Sequence, residues 1–381
     1  MKKKRMPWTV FLFAFVLAIG VGCLSVSAES EGVTVDLGAV SDALPDELED
    51  KLPDGFFSSD SEEAGEALGQ MVSAEYLLDT VLSYLGVELG SALRLLAMLT
   101  GLLMISSVMG AVKCSFSSDA LSDTFGFCST AAIFSAILRL LLDQVRMVEQ
   151  FFDRVGRLME AMIPIMGTVW AMGGNVSTAS AGTGTLSLFL VVAERLCAMS
   201  VMPVCAALGA LALCAGLAPD LGVRGLGNAI KKIYTFSLGL VMTLLMASLS
   251  FQTTLSAAAD STSARVGKLL SGMAIPVVGG SVGETLRTLA SGVQYMKGIV
   301  GVGGILLLLF LLLPVLLSLI LSRAAFLLSG GVAELLGCDR EGRLLSELSG
   351  IWGTLIAVVS MCSVMFILAL WLFVRCAVAV G

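Results

Sequence analysis

Arg154-Val155-Gly156-Arg157-Leu158, leading to Ile163-Pro164-Ile165-Met166-Gly167, is spelled a second time as Arg265-Val266-Gly267-Lys268-Leu269, leading to Ile275-Pro276-Val277-Val278-Gly279. Each copy stands shortly after one apolar run and shortly before another, so the chain reads as two related halves. A charged start, a central Pro and a glycine pair (Gly173-Gly174, Gly279-Gly280) fall within about 20 residues, the length that a spanning helix needs. The phrase therefore predicts a short, interrupted or re-entrant membrane element. Non-helical backbone at membrane depth survives only where protein or a water-filled cavity satisfies its N–H and C=O groups. Pro164, Gly173, Gly174, Pro276, Gly279 and Gly280 are thus the first candidates for a cavity or an assembly site.

Composition supports the membrane reading. Hydrophobic residues make up 57% of the 381 residues and charged ones 14%, against roughly 45–50% and 25% in soluble domains. There is no histidine, which removes imidazole ligands, Ser-His-Asp triads and imidazole proton relays. None of the nine cysteines has C-x-x-C spacing. Cys128, Cys197, Cys205, Cys214, Cys362 and Cys376 lie in or beside apolar runs and read as small buried hydrophobes. Cys114 and Cys338 fall in expected loops.

The N-terminus carries Lys2, Lys3, Lys4 and Arg5, an apolar stretch from Trp8 to Leu24, and Val26-Ser27-Ala28. This is the plan of a secretory signal peptide, residues 1–28; a lipoprotein signal using Cys23 and an uncleaved anchor are the other readings, and all three export the residues next in the chain. Residues 29–85 are expected to be an acidic extracytoplasmic leader, mostly disordered. Glu29 to Glu66 holds thirteen acidic residues and one base, Lys51, too much charge and too few apolar residues for a core.

The first membrane half is expected over 86–222 and the second over 223–381. Spans are predicted at about 92–112, 125–142, 186–217, 237–255, 299–321 and 352–374, with Pro203 and Pro314 as kinks. The class is an all-α polytopic membrane protein of about six to eight transmembrane helices, in two halves that each carry an interrupted Ile-Pro segment. Arg224, Lys231 and Lys232, and the charged stretch from Arg323 to Glu347, mark cytoplasmic loops by the positive-inside rule.

Ionisable groups at membrane depth are costly and few. Glu160 and the adjacent Glu194 and Arg195 stand out, either as packing pairs between helices or as liners of a polar path. No nucleophile has a paired base, no carboxylates or cysteines stand at metal-ligand spacing, and no phosphate loop is present. The sequence indicates no enzyme, no cofactor, no metal and no nucleic-acid partner.

The signal with its leader, the Ile163-Pro164 and Ile275-Pro276 segments, Val201-Met202-Pro203 and the Ala324–Gly337 stretch resemble, in order and spacing, the stage III sporulation protein AE family. The resemblance implies a multi-pass protein of the mother-cell membrane around the forespore. It also implies work in a channel or secretion complex, with other proteins of the stage III sporulation A operon and a forespore-membrane partner. No catalytic residue comes with it. A secondary transporter of a small solute is the alternative that repeated halves and kinked helices suggest. The export reading has a direct check: a reporter active only outside the cytoplasm should work when fused after Glu66, and activity of a cytoplasmic reporter there would reverse the topology.

Overall fold

The computed structural model describes residues 38–45, 48, 52–53, 55–56, 58, 61–113, 119–172, 176–217, 223–274 and 279–376, with the backbone alone over 256–299. Among these the regular structure is helical: a short turn at Gly38–Ser41, then α1 (Ser61–Val72), α2 (Ala74–Lys113), α3 (Asp119–Met172), α4 (Val176–Leu217), α5 (Val223–Ala274), α6 (Gly279–Leu335) and α7 (Asp339–Cys376). Six helices are long and apolar enough to cross a membrane: Glu75–Ala111, Gly126–Ala171, Gly182–Leu217, Gly225–Gln252, Val300–Leu335 and Asp339–Leu372. Each contains or overlaps one of the six spans expected from sequence.

Helix α6 is the centre. Its apolar segment is largely enclosed by protein, with α7, α2 and α3 packed along it. A helix that is apolar all round belongs in such a position, because no face suits water. The α6–α7 connection is only three residues long. Gly337, at φ 71°, takes the left-handed conformation that glycine adopts without steric cost. Cys338 N–H donates to Ala333 C=O at 2.9 Å and Gly337 N–H to Glu334 C=O at 3.3 Å, the paired bonds of a Schellman C-cap. The charged stretch Arg323 to Glu347 is thus two helix ends and a turn, and not a loop.

Helices α3 and α4 form an antiparallel pair held close by small residues. A Cβ on Gly156 would stand 2.8 Å from the Glu194 carboxylate, one on Gly167 2.8 Å from Thr183, and one on Gly209 3.4 Å from Leu141. A Cβ on Gly182 would stand 2.6 Å from the buried ring of Trp170. Small-residue contacts of this kind let membrane helices approach backbone to backbone.

Polar ties gather at the α6–α7 turn. The buried Glu341 carboxylate accepts from Ser106 at 2.8 Å and Ser129 at 2.7 Å, joining α2, α3 and α7. Lys231 of α5 pairs with Glu347 of α7 at 3.1 Å, both side chains largely shielded.

Three expectations change. Pro164 lies inside the continuous helix α3, so the first Ile-Pro phrase is neither interrupted nor re-entrant; the helix passes through it on an exposed face, where the carbonyl left without a donor is not sealed in the core. Pro203 and Pro314 likewise lie inside α4 and α6. The first phrase is followed by a break between Met172 and Val176, whereas α5 ends at Ala274 and α6 begins at Gly279, on either side of the second Ile-Pro, which itself lies outside the described residues. Finally, among the described residues of 38–85, Ser61–Val72 and the residues from Ala74 onward are helical. Val40, Leu44, Phe56, Leu68 and Met71 are buried in the common core, and Phe56 and Leu68 fill the space left open at Gly303, 3.3 and 3.5 Å from where a Cβ would stand. The signal segment lies outside the described residues.

The α3–α4 contact yields a stability test. Gly182→Ala forces a methyl group against the Trp170 ring and should destabilise the protein by about 1–3 kcal/mol, the usual cost of overpacking. Gly184→Ala, with open space around its Cβ, should be neutral or stabilising by up to about 1 kcal/mol. Thermal unfolding of the two purified variants in detergent separates them.

Candidate functional site

The most unusual surface of the bundle is one face of α3. Asp143, Arg146, Gln150, Asp153, Arg157, Glu160 and Pro164 follow each other at alternating steps of three and four residues, with Arg154 beside them, and none is buried. Residues at this spacing share one face of a helix. The opposite face, including Val145, Val148, Phe152, Val155, Leu158, Met159 and Met162, is buried against α4, α6 and α7. Within the stripe Arg157 donates to the Asp153 carboxylate four residues earlier.

The depth of this stripe follows from its neighbours. Buried Gln144 donates to Ser318 Oγ at 3.4 Å, and Met162 packs into the space left by Gly304. Thus α3 from 144 to 162, about 27 Å of helix at 1.5 Å per residue, runs beside Gly304–Ser318. That part of α6 has no ionisable residue and belongs to the most apolar span of the chain. The contacts Gly156–Glu194, Gly209–Leu141 and Ser200–Tyr234 bring the middle of α4 and of α5 to the same level. There the outer faces are apolar apart from Arg195: Met199 and Phe236 are each 72% exposed, and Leu196, Leu240 and Leu244 lie with them. The same depth therefore presents a belt on α4 and α5 that is apolar but for Arg195, and six exposed charges on α3.

Energetics separate the two faces. Inserting one Asp, Arg or Lys at the centre of a bilayer costs roughly 2.5–3.5 kcal/mol, and net folding stability is only about 5–15 kcal/mol. Six such groups against hydrocarbon would consume most or all of it, even with one pair partly compensated. The belt suits lipid; the stripe does not.

Of the residues singled out by sequence, Glu160 and Pro164 lie on this stripe. Glu194 reaches it from α4: its half-buried carboxylate occupies the notch at Gly156, and Arg195, Asp153 and Glu160 are its electrostatic neighbours. Arg195 and Pro203 lie on the exposed side of α4, so Pro203 is not brought into the cluster. Gly279 and Gly280 begin α6. Gly173, Gly174 and Pro276 lie outside the described residues. Sequence reasoning missed Asp143, Arg146, Asp153, Arg154 and Arg157 as a set. The alternating three-and-four spacing from Asp143 to Glu160 is the signal that marks them as one face.

Other features are less polar. Cys197 and Cys362 bring their sulfurs to 2.6 Å across the buried α4–α7 contact. Between α5 and α7 an open groove of about 950 Å³ is lined by Phe236, Met242, Met246, Met361 and Met365, with Lys231 and Lys232 at one end. Among the described residues no group of three or more His, Cys, Asp or Glu side chains could hold a metal ion.

Comparison with known proteins fits the membrane bundle. No curated protein matches this chain, and no solved structure does. The family model described as stage III sporulation protein AE matches residues 65–377, from α1 to the end of α7 and through all six apolar helices. Because that match covers most of the chain, this protein belongs to the stage III sporulation protein AE family.

Proposed function

We propose that this chain is an integral membrane component of a channel or secretion complex that links mother cell and forespore, and that forespore development after engulfment requires it. The observation that carries the proposal is the family match across 65–377, which embraces every helix able to span a membrane among the described residues. It makes a stage III sporulation role the frame within which the geometry is read. The part played is structural and conductive, not catalytic. Partners are other proteins of the stage III sporulation A operon and a forespore-membrane protein, with the lipid bilayer around the α4–α5 belt.

The mother-cell membrane around the forespore is the site of action, crossed by all six apolar helices. The end of the bundle that holds Lys231, Lys232, Arg340 and Arg343 faces the cytoplasm, as the excess of basic residues favours. The N-terminal residues lie on the outer side.

Affinity purification of the tagged protein from sporulating cells, with identification of what copurifies, tests the partnership. Other products of the operon should be retained, and deletion should leave vegetative growth intact while sporulation stops after engulfment. A purified chain that carries a defined solute across liposomes by itself, and retains no partner, would replace the proposal with the transporter reading.

A further inference from the structure

We propose that the charged face of α3, from Asp143 to Glu160, forms one wall of a water-filled passage at membrane depth. The inference deepens the channel reading by naming the surface that the aqueous path follows. Its basis is the mismatch between two faces at one depth. Gln144–Ser318 and Met162–Gly304 tie this stretch of α3 to the part of α6 that has no ionisable side chain, while α4 and α5 turn Met199, Leu196, Phe236 and Leu240 outward at the same level.

The stripe's surroundings are therefore water or protein. A dry contact between copies inserted in the same orientation is disfavoured by the charge order. Such copies, arranged about an axis along the membrane normal, set Asp143 against Asp143 and Arg157 against Arg157 at each level, and like charges repel strongly where water is excluded. Water relieves that repulsion and solvates each head group. The charge balance also bears on what passes: Asp143, Glu149, Asp153 and Glu160 stand with Arg146, Arg154 and Arg157. A wall with four acidic and three basic groups favours hydrophilic solutes without strong selection between anions and cations.

The test is thiol labelling of the full chain in membranes of sporulating cells. The nine cysteines are first replaced, and the resulting variant must sporulate. Single cysteines are then placed on the stripe (Gln150→Cys, Glu160→Cys) and on the belt (Met199→Cys, Phe236→Cys). Gln150 is uncharged, so its variant removes no charge even if loss of Glu160 disturbs folding. A membrane-impermeant methanethiosulfonate should modify the stripe positions at least ten-fold faster than the belt positions, because the reactive thiolate forms only where water reaches the sulfur, and all four positions should react once the protein is denatured in detergent. Rapid aqueous labelling of both sets would place this level outside the bilayer and overturn the proposal. Stripe positions that resist the aqueous reagent would overturn it too, since they would be covered by protein or lipid. Copurification of the operon's other products is scored on the same preparations. A failed labelling pattern with partners retained rejects the passage alone, whereas loss of partners with the labelling pattern intact rejects the assembly reading.

Discussion

An apolar helix of this length has to be enclosed, and the enclosure of α6 is the constraint on which the other helices depend. Gly279–Leu335 is 57 residues, about 86 Å at 1.5 Å per residue, well beyond a hydrocarbon core of about 30 Å. Its most apolar part is covered by α2, α3 and α7. The backbone hydrogen bonds are satisfied within each helix, as membrane depth demands, save for the carbonyls that lose a donor at Pro164, Pro203 and Pro314. What remains to be settled between helices is shape, and this chain settles much of it with glycines. Gly156, Gly167, Gly182, Gly303 and Gly304 each leave room that a side chain from another element fills.

That division of labour explains what could be read in advance. The six spans were legible because mean apolarity over about 20 residues is a strong local signal, and each expected span has its helix. The continuity of α3 through Pro164 was not. A proline in a helix interior reads as a break when only local costs are counted, yet packing of the buried face from Val145 to Trp170 holds the helix together. The two copies of the repeated phrase differ: α3 runs on through Ile163-Pro164 to Met172, whereas α5 ends at Ala274, directly before Ile275-Pro276.

The N-terminal residues failed for the opposite reason. Thirteen acids between Glu29 and Glu66 dominate any average, so Val40, Leu44, Phe56, Leu68 and Met71 were too sparse to register as a core. Their partners are on α6 and neighbouring helices, and a contact so distant leaves no local trace. The charged face of α3 lay between these cases. Its periodicity was present in the sequence, but its meaning depended on depth, which only the contacts to Ser318 and Gly304 supply.

The docking of Phe56 and Leu68 at Gly303 also constrains the order of events during synthesis. The receiving surface lies on a helix made almost 250 residues after Phe56, and synthesis proceeds at about 5–20 residues per second. For about ten seconds or more Phe56 and Leu68 lack the Gly303 surface on which they dock. Its closure is therefore a late step that reports on α6 already being in place, and contacts between such distant parts of a chain form slowly. The N-terminal residues act as a seal set after the bundle has assembled, and a chain stopped before Gly303 would leave their apolar side chains uncovered.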